Sequence, residues 1–91
     1  MVKTVELPRV SGPGSGVGGL WRVVVLNDDF NTFEHVIDTL ISVCKHSAEQ
    51  AEQCTWIIHH KGKCTVKNGS LEELKPMREG IREKGIDARI I

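Results

Sequence analysis

The sequence predicts an α+β fold, a small sandwich with helices on one face of an antiparallel sheet. Three observations predict it. A β-branched run, Val23-Val24-Val25, is followed by an apolar stripe at helical spacing: Val36, Ile37, Leu40, Ile41 and Cys44. Two signatures, Ser47 with Gln50 and Ser70 with Glu73, announce further helices by the spacing of a capping box. Strand-like and helix-like segments do not alternate regularly, which argues against a parallel sheet built from βαβ units. With 91 residues, the chain has room for one small domain.

The elements follow in order. Residues 1–20 are expected to be a flexible N-terminal extension and Gly-rich linker, because residues 11–19 hold five glycines. Residues 21–91 then form the core domain. The first strand is expected over 20–26, and its continuous apolar run suits a strand buried on both faces. The first helix is expected over 33–44, with Asn31 or Thr32 as its cap. Lys45-His46 reads as a short solvated connection. A second helix is expected over 48–54, with Ala51 and Cys54 inward. Trp56-Ile57-Ile58-His59-His60 reads as a strand, and Lys61-Gly62-Lys63 as a hairpin turn leading to a returning strand over 64–67. The third helix follows Ser70 with Leu74, Met77 and Ile81 on one face. Pro76 should kink it or mark its true start. Gly85 stops it, and residues 86–91 form the last strand.

Composition removes several classes of function. Lys+Arg and Asp+Glu are each 12, so there is no basic excess for nucleic acid. No apolar run approaches the roughly 20 residues that span a bilayer. The N-terminus lacks the apolar core of a signal peptide, so a cytoplasmic protein is expected. Cys44, Cys54 and Cys64 form no CxxC pair and read as small buried hydrophobes. A zinc set of Cys54, His59, His60 and Cys64 was weighed against this. In a strand the adjacent histidines would point to opposite faces, and the spacing fits no common zinc pattern. No metal and no cofactor are expected. Nor does any cysteine sit in an evident nucleophile–base arrangement, so no catalytic residue is expected.

The chemistry gathers where the first strand stops at Asn27-Asp28-Asp29. Such residues make turns and cap helices, because their side chains bond nearby backbone. They also place two carboxylates and an amide at a strand mouth. In so small a domain His59 could approach Asn27 and Asp28. Carboxylate, amide and neutral imidazole are all acceptors, and together they suit an ammonium group, which has donors only.

The stretch VVLNDDFNTFEHVIDTL, with the distant Ile58-His59-His60-Lys61-Gly62-Lys63, resembles the ClpS family of protease adaptors. The resemblance runs over about residues 20–91. It implies a small αβ sandwich, a three-stranded antiparallel sheet packed against three helices, similar to the C-terminal domain of a ribosomal stalk protein. It implies a non-enzymatic, monomeric adaptor that binds N-degrons, proteins or peptides starting with Leu, Phe, Tyr or Trp, and delivers them to a ClpA- or ClpC-type AAA+ unfoldase. By residue, it implies that Asn27, Asp28 and His59 receive the free α-amino group, with Asp29 and Asn31 supporting the loop. Val25, Leu26, Phe33, Val36, Thr55, Ile58 and Ile90 would line the pocket for the first side chain. Glu73 and Lys75 would face the unfoldase. Thr55 and Phe33 both stand where the family often has methionine, which puts the side-chain preference at those two positions. The alternative is a ClpS-like binding module with altered or lost N-degron recognition.

Overall fold

The structure is a computed structural model and describes residues 20–91; the expected extension and linker, Leu20 apart, lie outside the described residues. The elements are β1 (Trp21–Leu26), α1 (Phe33–Cys44), α2 (Ala48–Lys61), β2 (Lys63–Gly69), α3 (Leu71–Glu83) and β3 (Ala88–Ile90). The strands form one sheet in the order β2-β1-β3, antiparallel throughout. Three helices and a three-stranded antiparallel sheet make the α+β fold the sequence predicts.

The central place of β1 explains its composition. Both neighbours hydrogen-bond to it, and Val23, Val24 and Val25 are all buried. α1 begins and ends where the apolar stripe does. Thr32 is its cap, its Oγ1 accepting from the His35 amide at 3.1 Å. Lys45 ends it in the left-handed region at φ 61°. The stripe omits one buried member, Thr39, whose hydroxyl donates to the His35 carbonyl at 2.8 Å and so needs no water.

The region after Thr55 corrects the sequence reading. Residues 56–60 are not a strand: α2 continues to Lys61, and there is no hairpin. Trp, Ile and Ile favour strands as residue types, but the burial here has helical spacing. Ala51, Thr55 and Ile58 face the core, while Trp56 and Ile57 are 52% and 38% exposed. Gly62 supplies positive φ, as expected, yet it ends a helix rather than turning a hairpin. At φ 95° its amide bonds back to the Ile58 carbonyl. His59 and His60 are therefore helix neighbours, and the His60 ring stacks on exposed Trp56 with centroids 3.8 Å apart.

α3 also differs from expectation. Pro76 lies inside it and does not mark its start. The capping box sets the start: Ser70 Oγ accepts from the Glu73 amide, and Glu73 Oε1 accepts from the Ser70 amide. Burial of Leu74 and Ile81 on either side of the proline then holds the helix together. Gly80 has a packing reason. A Cβ there would stand 3.0 Å from Val43 Cγ1, so the glycine lets α3 approach α1 closely.

His46 is the third correction. It is only 5% exposed, not a solvated connector. In the β1–β2 register, Val23 faces Lys67 and Val24 faces Thr65, so Val66 is an extra residue, a β-bulge. His46 Nε2 donates to the Val66 carbonyl at 2.7 Å, which a regular ladder would otherwise serve. Because a carbonyl can only accept, the proton sits on Nε2, and the buried Nδ1 has no partner among the described residues. His46→Ala is expected to lower unfolding free energy by about 2–4 kcal/mol, from the unsatisfied carbonyl and the cavity together. A urea titration checks this. A midpoint unchanged from the parent protein would mean the bulge does not depend on the ring.

Candidate functional site

Three segments meet where β1 ends. The Leu26 amide donates to the Asp87 carbonyl at 3.0 Å, just before β3. The Asn27 amide donates to the Gly62 carbonyl at 2.9 Å, at the C-terminal end of α2. The turn that follows is organised by Asp28. Its Oδ1 accepts from the amides of Phe30 and Asn31, each at 2.8 Å, and its Oδ2 accepts from Asn31 Nδ2 at 2.6 Å. Asn31 Nδ2 also donates to the Gly85 carbonyl at 3.0 Å, across 54 residues of sequence. His35 Nε2 donates nearby, to the Lys84 carbonyl at 2.8 Å. The loop is thus tied both to α2 and to the α3–β3 connection.

These bonds set the charge of Asp28. Partial desolvation works against its ionised form. The Asn31 and Phe30 amides, the Asn31 side chain and nearby His59 outweigh it, and the carboxyl is held below its ordinary 3.8. A carboxylate has about four lone-pair sites, and the loop's donors fill three of them. One on Oδ2 is left for an incoming donor.

His59 reaches the same place from α2. Its Nδ1 donates to the Thr55 carbonyl at 3.1 Å, since a carbonyl cannot donate in return. The neutral ring then carries its lone pair on Nε2, which makes that atom an acceptor. The Phe33 ring lies against the His59 ring, tilted by 51° with centroids 5.2 Å apart. Phe33 opens α1 directly after its cap, so helix start and helix end meet across the two rings.

The remaining expected residues are placed as follows. Asn27 and Asp29 are exposed at the loop, and Asn31 is half-buried beneath it. Val25, Val36, Thr55 and Ile58 are closed into the core, the Thr55 hydroxyl donating to the Ala51 carbonyl at 2.7 Å. Leu26, Phe33 and Ile90 are half-buried. Ile90 pairs with Val23, so it stands at the far end of β1 from the loop, about 13 Å along an extended chain. Glu73 and Lys75 are exposed on α3, away from this junction, and one Glu73 oxygen is engaged in the capping box.

Sequence reading missed Ile86. It is 2% exposed and lies between Gly85, which accepts from Asn31, and Asp87, which accepts from Leu26. That makes it the core residue directly under the loop. Its signal was its place after Gly85, where the chain turns back toward the sheet. A shallow cleft lies elsewhere, between α1 and the end of α3, lined by His35, Asp38, Thr39, Ser42 and Lys84. Among the described residues, no group of three or more His, Cys, Asp or Glu side chains is placed to hold a metal ion, and no helix is long and apolar enough to cross a membrane.

A tied loop presenting acceptors, beside an apolar core, defines a binding domain for a donor-rich group. The protein family is shown by comparison. The family model for the ATP-dependent Clp protease adaptor protein ClpS matches residues 18–88. The ClpS adaptor of the cyanobacterium Synechocystis sp. is 34% identical over 67 residues, covering 72% of this chain and 68% of its own. That of Thermosynechococcus vestitus is 33% identical over 67 residues, covering 72% and 71%. The chain belongs to the ClpS family: it is an adaptor of the Clp protease, not itself a protease. The solved structure of Agrobacterium tumefaciens ClpS2 bound to L-phenylalaninamide superposes with a TM-score of 0.68, covering 80% of this chain and 95% of that one. At 18% identity that likeness speaks for the fold.

Proposed function

We propose that the protein captures N-degrons, seats their free α-amino group on Asn27, Asp28 and His59, and hands the substrate to a ClpA- or ClpC-type AAA+ unfoldase in the cytoplasm, acting as a monomer. The observation that carries this reading is the pairing of the open Oδ2 site of Asp28 with the acceptor Nε2 of His59 on elements tied together through Gly62. An α-ammonium has three N–H donors, and these acceptors match it in number and kind. The ligand of Agrobacterium tumefaciens ClpS2, L-phenylalaninamide, has a free α-amino group beside an aromatic side chain, which supports the same chemistry here. For the first side chain we propose the Phe33 and Leu26 region, with Val25, Val36, Thr55 and Ile58 behind it and Ile86 as the wall under the loop. Ile90 belongs to the periphery of that set. Asp29 and Asn31 support the loop, and Asn31 does so through both Asp28 and Gly85. Glu73 and Lys75 form the unfoldase-facing patch, with Lys75 as its exposed charge beyond the capping box.

A second reading, altered N-degron recognition, is favoured by one observation. The deep apolar residues are closed into the core, so a bulky first side chain must displace Phe33 or Leu26 to enter. A peptide panel varying only residue one, each with a free and an acetylated N-terminus, separates the two. The adaptor reading predicts that Phe, Tyr, Trp or Leu leads and that acetylation weakens binding by about 10²-fold or more, through loss of two charge-assisted hydrogen bonds. Acetylation-sensitive binding with no preference for a large first residue would favour the second reading. Equal binding of acetylated peptides would overturn both.

A further inference from the structure

Cys54 and Cys64 take no part in the loop that holds Asp28, yet the fold brings them together. Cys54 lies in the inward stripe of α2, between Ala51 and Ile58. Cys64 is the second residue of β2 and pairs with Val25 on the central strand. Their side chains are hydrogen-bonded to each other, and the Cys64 thiol has the Thr65 carbonyl as a second acceptor at 3.4 Å. Both residues are half-buried, so each keeps an accessible edge. Cys44 differs in being fully buried, and burial pushes its thiol up to about 11.

The pair is also electrically unequal. The Cys64 hydrogen bond lowers the Cys54 thiol, and the same bond, with burial, raises that of Cys64. His60, Lys61 and Lys63 lie in the same short stretch, the kind of basic setting that favours a thiolate. Cys54 is therefore the attacking sulfur and Cys64 the resolving one.

We propose that Cys54 and Cys64 form a reversible dithiol–disulfide pair, whose closure clamps the His59-bearing end of α2 to β2. The oxidant is a low-molecular-weight disulfide. The Cys54 thiolate attacks one of its sulfurs, that S–S bond breaks, and one small thiolate leaves and takes up a proton. Cys64 gives up its proton and attacks Cys54 Sγ, the mixed disulfide breaks, and the second small thiol leaves. Two protein thiols are oxidised and one small disulfide is reduced to two thiols, so atoms and electrons balance. The closed loop contains His59 and Gly62, whose carbonyl holds Asn27. That the clamp bears on peptide binding rests on the function proposed above; the thiol chemistry does not.

The test uses the full chain, first reduced, then exposed to glutathione disulfide under native conditions. Remaining thiols are alkylated in denaturant and the peptides are mapped. The expected product is monomeric, retains Cys44 as a free thiol, and yields one crosslinked species joining Cys54 to Cys64. Amide exchange at residues 58–62 is expected to slow by at least about tenfold in the oxidised form. Cys54→Ser and Cys64→Ser are each expected to stop at a glutathione adduct on the remaining sulfur, with an unchanged circular dichroism spectrum. In the parent chain, a stable mixed adduct, a crosslinked dimer or pairing through Cys44 overturns the proposal. Exchange that does not change on oxidation overturns the clamp. No peptide enters these measurements, so their failure leaves N-degron binding untouched, and failure of the peptide panel leaves the dithiol untouched.

Discussion

Asp28→Ala is expected to abolish tight binding of a free N-terminal peptide, weakening it by about 10²–10³-fold, or roughly 3–4 kcal/mol. Two losses combine. The ammonium loses its only full negative counter-charge in the proposed seat, and the loop loses the three hydrogen bonds that shape it. Asp28→Asn separates them. Its carbonyl oxygen can still accept from the Phe30 and Asn31 amides, but its NH₂ takes the place of Oδ2 and meets only donors. Loop order, read from amide shifts at Phe30 and Asn31, is expected to survive in Asp28→Asn while binding is lost. Full binding by the Asn variant would remove Asp28 from the ammonium site and leave it as a turn residue. Acidity gives an independent handle with a fixed sign. Because the folded-state value of Asp28 lies below 3.8, its stabilisation of the loop is complete above the unfolded-state value and fades as pH falls through the folded one. Loop amide shifts in the peptide-free protein are thus expected to hold through mild acid and change only below pH 3.8.

The largest expected loss of stability is at Leu40. It is 1% exposed in the middle of α1, a helix that packs on α2, α3 and β2. Leu→Ala at such a site costs about 3–5 kcal/mol, from lost transfer energy and the cavity left behind. A domain of roughly 70 residues has only about 4–11 kcal/mol in total. Leu40→Ala therefore uses up a large part or all of the stability, and chemical denaturation is expected to show a midpoint shifted far down or a chain already unfolded. Ile57→Ala, on the exposed face of α2, is the control and is expected to change stability by less than about 1 kcal/mol. Similar losses at the two positions would mean the core is not where the burial pattern puts it.

The legible parts of the fold were those encoded over a few residues. α1 was bounded by its own stripe and cap, and α3 by the Ser70–Glu73 box. The second half of α2 was not legible, because Trp56-Ile57-Ile58 carries strand-like side chains on a helix whose inward face is set by Ala51, Thr55 and Ile58. Periodicity taken through Ala51 would have linked them; residue type broke the link. The Val66 bulge and its His46 partner depend on a pairing 20 residues apart, which no local pattern encodes. The candidate site divides the same way. The polarity of Asn27-Asp28-Asp29 stood out in the chain, and the bond from Asn31 to Gly85 did not. Ile86 escaped notice because its position under the loop comes from the two carbonyls beside it, not from its own side chain.

β1 is nearly the first element of the described chain, yet it lies in the middle of the sheet. Its Arg22 exchanges two backbone hydrogen bonds with Ile91, at 2.9 and 2.8 Å. During synthesis, one flank of β1 must wait unpaired until residues 88–91 have been made. Until then it is an open edge of valines, a template for any other extended chain. The architecture thus delays completion of the sheet to the end of translation, and the nascent adaptor is itself for a time the kind of unfinished chain that quality control removes.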